Sequence, residues 1–196
     1  MENPTTEHLA AMKRVLRYVA GTLHYGCHYK MKEAQLTGYS DSDLASDVDT
    51  RKSTTGLLFF LGSNVITWQS QKQRVVALSS CEAEYIAAAI AAYQGVWLAH
   101  LLAELKGEKT SAISLKIDNE SAIALSRNSI FHDRSKHIDV RFHYIRECVE
   151  VNRVQLQSIA TMEQLEHILT KALGREQFCN LRSRIGVVDV QGIHKN

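Results

Sequence analysis

The sequence predicts an α/β protein: a mixed sheet flanked by helices. Three observations predict it. Short runs rich in β-branched and aromatic residues crowd between Leu36 and Ser79. An abrupt switch to an alanine-rich helical run follows, and single apolar strands then alternate with helical segments as far as Ile185. A hairpin meander followed by alternating helices and strands implies this architecture.

Each element is readable in order. "TTEHLAAMKRVLRYVAGT" places Leu9, Met12, Val15, Leu16 and Val19 at helical spacing and stops at Gly21. "GCHYKM" reads as a short strand. "LTGYS", "TGLLFFLG", "VITWQS" and "RVVALS" then read as successive strands, with a hairpin turn at Gly62 to Asn64. Ser79 stands three residues before Glu82, the spacing of a capping box, and opens a helix that runs to about Leu105. Its alanines, among them Ala83, Ala87, Ala88, Ala91 and Ala92, let it lie close on a sheet. "AISLKID" is a strand, "NESAIALSRN" a short helix, "SKHIDVRFHYIRECVEV" a third helix and "RVQLQSIA" the fifth core strand. "TMEQLEHILTKAL" reads as a fourth helix, with a last one near Arg175 to Ile185.

The bulk properties narrow the function classes. A chain of 196 residues can bury a core as one domain. Its 23 basic and 21 acidic residues leave a net charge of +2, so a nucleic-acid partner has to be met by a local basic face. No run approaches the roughly 18 apolar residues of a membrane span, and the first residues lack a signal-peptide core, so an intracellular protein is expected. Cys27, Cys81, Cys148 and Cys179 show no paired spacing, which suits reduced thiols and gives no support to a zinc site.

Acidic residues fall where strand ends meet helix starts. Asp41 closes the first sheet strand, Glu82 and Glu84 lie in the first turns of the long helix, and Asp118 closes "AISLKID". Such oxygens suit Mg²⁺ or Mn²⁺, and two such ions about 4 Å apart are a common device for displacement at phosphorus. The plainer alternative is helix capping and dipole complementation. Glu82 and Glu84 are about 200° apart around a helix, so only one can face a shared site. Asp43, Asp47 and Asp49 read as turn formers.

Six motifs, "GYSDSDLASDVDTRKSTTG", "LGSNVITWQSQKQ", "LSSCEAEYIA", "LKIDNESAIALSRN", "RSKHIDVRFHYIRE" and "QLEHILTKAL", resemble in order the ribonuclease H region at the C-terminal end of copia-type LTR retrotransposon polyproteins. The resemblance implies an RNase H-like fold with a five-stranded mixed sheet, its first three strands antiparallel. It divides the chain into the end of a reverse-transcriptase connection (1–34), the RNase H-like domain (35–190) and a short tail (191–196). It implies an endonuclease that uses two Mg²⁺ or Mn²⁺ ions to cut the RNA strand of an RNA–DNA hybrid, and the reverse-transcriptase portion of the same polyprotein as a partner. The catalytic and metal-binding carboxylates fall on Asp41, Glu84 and Asp118.

The fourth position departs from the pattern. Where the family reads "QLADILTK", this chain has His167 in place of Asp, a poor partner for Mg²⁺ that withdraws one negative charge. Glu163 lies one helical turn earlier on the same face, whereas Glu166 is about 100° away. Attenuated cleavage is therefore expected. The rival reading is a catalytically inactive nucleic-acid-binding remnant, and an integrase-like strand-transfer domain is disfavoured by the motifs. Leu44 and Ser46 replace the family's usual Trp and Gly. Hybrid recognition works through phosphates and 2′-hydroxyls, for which Arg51, Lys52, Lys72 and Arg74 are candidates. Arg134, Lys136, His137 and Arg141 surround the "KHID" turn, where Asp139 suggests a capping or packing role. Tyr39 and Trp68 are expected to pack in the core behind the site.

Overall fold

The computed structural model describes residues 4–31, 35–127 and 139–191. The central strands are β2 (Leu36–Ser42), β3 (Thr54–Leu61), β4 (Asn64–Lys72), β5 (Ile113–Ile117) and β6 (Val154–Ser158). They form one sheet in the order β4-β3-β2-β5-β6. β2, β3 and β4 are antiparallel neighbours, and β5 and β6 join parallel. The expected five-stranded mixed sheet is therefore present. The loop of residues 43–53 and a tight turn at Gly62 and Ser63 make the antiparallel half, and helical crossovers make the parallel half.

β3 is apolar from Gly56 to Leu61 because both of its faces are covered there. Leu57 and Phe59 point to one face, where they join Ala88, Ile113, Leu115 and Ile145 in the main core. Leu58 and Phe60 point to the other, against Leu165, Leu181 and Ile185. Helix α2 (Ser80–Lys106) lies across the first face. Small residues permit this close approach: a Cβ built on Gly95 would lie 2.1 Å from Ile113 Cδ1. Contrary to the sequence expectation, α2 is long and apolar enough to match a membrane span, with a mean hydropathy of 1.5 over its best window. Its buried alanines and the acidic Glu82 and Glu84 show what that apolarity serves, namely packing on the sheet.

Helices α3 (Glu120–Arg127), α4 (Asp139–Glu150) and α6 (Arg175–Ile185) match the sequence reading. Two expectations fail. "RVVALS" forms no strand; it carries the chain from edge strand β4 to the start of α2. The buried side chain of Gln73 anchors that crossing, donating to Ser42 Oγ, Thr55 Oγ1 and Ala83 O. "TMEQLEHILTKAL" is not one helix. A 3-10 turn at Thr161–Glu163 ends at Gln164 in an extended conformation, and α5 covers only His167–Thr170. Four consecutive residues, Gln164 to His167, are buried there. The extended backbone at Gln164 separates the 3-10 turn from α5.

Before the sheet, α1 (Thr6–Ala20) begins at its Thr5 cap and ends at Gly21. Its stripe of Leu9, Met12, Val15, Leu16 and Val19 is half exposed or more. Strand β1 (Tyr25–Cys27) pairs antiparallel with β7 (Val187–Asp189), a short strand the sequence reading missed. Tyr18 of α1 also meets Phe178 of α6 edge-on.

Candidate metal centre

Three elements deliver the carboxylates. Asp41 lies at the end of β2, opposite Gly56 of β3, and is completely buried. Glu84 faces it from the first turns of α2, where Glu84 Oε1 accepts from Ser42 N at 3.1 Å. Asp118 follows the last residue of β5 and is partly buried. The ambiguity between the two helix acids is resolved by local capping. Ser79 Oγ accepts from Glu82 N, and Glu82 Oε2 accepts from Leu78 N at 3.1 Å, so Glu82 serves the helix start.

His167 enters from α5, with Nε2 3.7 Å from Asp41 Oδ1 and 3.9 Å from Asp118 Oδ2. One ligand atom each from Asp41, Asp118 and His167 falls within 4.8 Å of the others. Two neighbours missed in the sequence complete the surroundings. Thr170 Oγ1 donates to Asp41 Oδ2, and Lys171 Nζ lies 3.2 Å from Asp41 Oδ1 and 2.7 Å from His167 Nε2. Both belong to the "QLEHILTKAL" motif, so the motif itself held the signal.

Glu166 was set aside on helical geometry, and its αR backbone at φ −75°, ψ −7° keeps that relation to His167, yet its burial singles it out. It is fully buried, while Glu163, which helical spacing put on the same face as position 167, is exposed. Burial, followed by the carboxylates of Asp41, Glu84 and Asp118, pushes Glu166 well above the usual carboxylate range. Burial first, and then the charge of Asp41, likewise pushes Glu84 up to about 9. Asp118 is held below its ordinary value by His167 and then Lys171, against its partial burial.

The donor set fits a hard divalent cation. Glu84 Oε2 and both carboxylate oxygens of Glu166 are buried without a hydrogen-bond partner, and such orphaned acceptors among acids are what a cation would satisfy. Asp41, Glu84 and Asp118 are the residues that would hold it, with His167 adjoining.

The candidate phosphate contacts lie on the β3–β4 side. Lys72 and Arg74 line a cleft of about 220 Å³ with Thr55, Gln69, Gln71 and Gln73, and Lys72 is ion-paired with Asp47. Arg51 is exposed and Lys52 half-buried in the loop after β2. Turn roles are seen for Asp43, which accepts from Thr54 N at 2.9 Å, and for Asp47, which accepts from Thr50 N at 2.7 Å. Trp68 is exposed on edge strand β4 rather than packed in the core. Tyr39 packs edge-on against Phe60. Arg134, Lys136 and His137 lie outside the described residues, as do the side chains of Asp139 and Arg141.

No family model matches the sequence. The retrovirus-related Pol polyprotein from transposon TNT 1-94 of Nicotiana tabacum is 42% identical over 187 residues, which is 95% of this chain and 14% of that protein. This chain is a homologue of copia-type transposon Pol polyproteins. The polyprotein from transposon RE1 of Arabidopsis thaliana is 41% identical over 191 residues, 97% of the Pol homologue and 13% of the relative. The chain thus spans 13–14% of the length of these relatives. Among solved structures, the N-terminal RNase H domain of a Mycobacterium tuberculosis protein superposes with a TM-score of 0.51 at 9% identity, covering 76% of the Pol homologue and 97% of that chain. A prototype foamy virus protease–reverse transcriptase gives 0.50 at 12% identity, over 84% of the Pol homologue and 21% of that chain. At such identities the likeness is one of fold, and the Pol homologue has an RNase H-like fold.

Proposed function

We propose that this chain is an RNase H-type endonuclease that cuts the RNA strand of RNA–DNA hybrids, slowed by His167 at the fourth position. The observation that carries the reading is the meeting of Asp41, Glu84 and Asp118, from three elements far apart in sequence, around orphaned buried oxygens. Mg²⁺ or Mn²⁺ bound there would activate the attacking water and neutralise the leaving oxygen. The protein's own part is positional. Strand β2 fixes Asp41, Thr170 orients its second oxygen, and the main-chain N–H of Ser42 aims Glu84. Arg51, Lys52, Lys72 and Arg74 are assigned to the phosphate backbone, which such recognition reads by shape and charge.

Residues 35–190 form the nuclease unit in this reading, 191–196 a tail, and 1–34 the end of the reverse-transcriptase connection. The uncovered apolar stripe of α1 supports a neighbour there from the parent polyprotein's reverse transcriptase.

The test is cleavage of an end-labelled hybrid in Mg²⁺ and in Mn²⁺. Asp41→Asn should slow cutting by roughly two orders of magnitude or more, and His167→Asp should speed it by at least about tenfold. Equal rates for wild type and Asp41→Asn would end the nuclease reading. Equal rates for wild type and His167→Asp would end the claim of attenuation. Binding of hybrid with no cleavage by any variant would leave the inactive remnant.

A further inference from the structure

The reading above gives Glu166 no task, yet its burial demands one. The side chain is fully buried, and neither carboxylate oxygen is hydrogen-bonded to another residue. A carboxylate so placed is a liability to the fold unless something pairs with it.

Its backbone is linked to Asp41 through Thr170. Glu166 O accepts from Leu169 N at 2.7 Å and from Thr170 Oγ1 at 3.5 Å, and that same hydroxyl donates to Asp41. Gly56, the partner of Asp41 across the β2–β3 pair, leaves the room: a Cβ there would lie 3.3 Å from Glu166 O and 2.5 Å from Thr170 Cγ2. Glu163 is turned outward, its carbonyl accepting from Arg184 Nη2.

We propose that Glu166 supplies the fourth carboxylate of the divalent-cation centre, in place of the side chain at position 167. The inference rests on the nuclease reading only in taking that centre to bind a cation; a carboxylate offset from position 167 restores the charge but not its placement, so slowed cutting still follows from that reading. Gln164, Leu165, Glu166 and His167 are all buried, so Glu166 is held inside the same packed segment as His167. A glutamate also reaches one methylene further than an aspartate.

Titration calorimetry with Mn²⁺ tests it on the folded chain, using wild type, Glu166→Gln, Glu166→Asp, His167→Ala and Asp41→Asn. Glu166→Gln should weaken Mn²⁺ binding by about tenfold or more, Glu166→Asp by less, and His167→Ala by under about threefold. If Asp41→Asn abolishes binding while Glu166→Gln stays within about threefold of wild type, Glu166 is not a ligand and the centre survives. If Asp41→Asn also leaves Mn²⁺ affinity unchanged, the centre itself is refuted, and the assignment of Glu166 with it. Should Glu166→Gln fail to fold, the rise in Tm on adding Mn²⁺ replaces it as the readout. A smaller rise for Glu166→Asp than for wild type supports the assignment, and an equal rise overturns it.

Discussion

Lys171 and Asp41 form an ion pair, Nζ to Oδ1 at 3.2 Å, between a fully buried carboxylate and an ammonium that is 38% exposed. Thr170, one residue earlier, donates to the other oxygen of the same carboxylate. Asp41 is therefore held from both sides by the segment that follows α5. A divalent cation arriving at Asp41 meets a positive charge already beside it, and like charges this close repel appreciably at a partly buried site.

Lys171→Met should consequently raise Mn²⁺ affinity, by roughly three- to tenfold, while lowering the Tm of the metal-free protein. Calorimetric titration of both proteins checks the first, and a thermal melt in chelator checks the second. A fall in affinity would mean that Lys171 assists cation binding.

The metal-free protein should lose stability as pH rises. Glu84 is pushed up to about 9 from an ordinary 4.5, so between those values the folded state holds a proton that the unfolded chain has released. Its contribution is complete below about 4.5 and is lost toward 9, and Glu166 is shifted in the same direction. A fall in Tm of roughly 5–10 °C between about pH 5 and 9 is expected in chelator. Glu84→Gln should flatten that slope, and excess Mn²⁺ should reduce it by favouring the ionised carboxylates.

Gly56→Ala should damage the centre without touching an acid. The added methyl would meet Thr170 Cγ2 at 2.5 Å and Leu169 Cβ at 3.3 Å, forcing α5 away from β3 and Thr170 away from Asp41. A loss of about 1–3 kcal/mol is expected, with weaker Mn²⁺ binding alongside. Denaturant melts give the first and calorimetry the second, and an unchanged Mn²⁺ affinity would show that the seat of α5 is immaterial to the centre.

Gln73→Ala should cost a similar amount by a different route. It removes an amide nitrogen that lies within hydrogen-bond distance of Ser42 Oγ, Thr55 Oγ1 and Ala83 O and so ties β2, β3 and the start of α2 together. A drop in Tm of roughly 3–8 °C is expected, visible in a thermal melt.

The order of elements was legible because strand runs, the Ser79 cap and the apolar period of α2 are local signals. Asp41 and Asp118 lie at element boundaries that the sequence marks, whereas spacing left Glu82 and Glu84 open and only the motif resemblance pointed to Glu84. What could not be read is the stretch from Gln164 to Lys171. Its spacing fits a helix, yet the chain is extended at Gln164 and α5 begins only at His167. Helical geometry then pointed to Glu163, which is exposed, and away from Glu166, which is buried. The "RVVALS" run misled in the same manner. Its β-branched residues suit a strand, yet Gln73, buried just before it, pins the chain into a crossing.

The decisive measurement is a crystal structure of the wild-type protein in saturating Mn²⁺, read by anomalous scattering around Asp41. A carboxylate centre predicts Mn²⁺ bound by Asp41 together with Glu84, Asp118 and Glu166 oxygens, with Lys171 Nζ moved from its 3.2 Å contact. A map with no anomalous peak at Asp41, and with Lys171 still paired to it, would contradict the centre and the nuclease chemistry built on it.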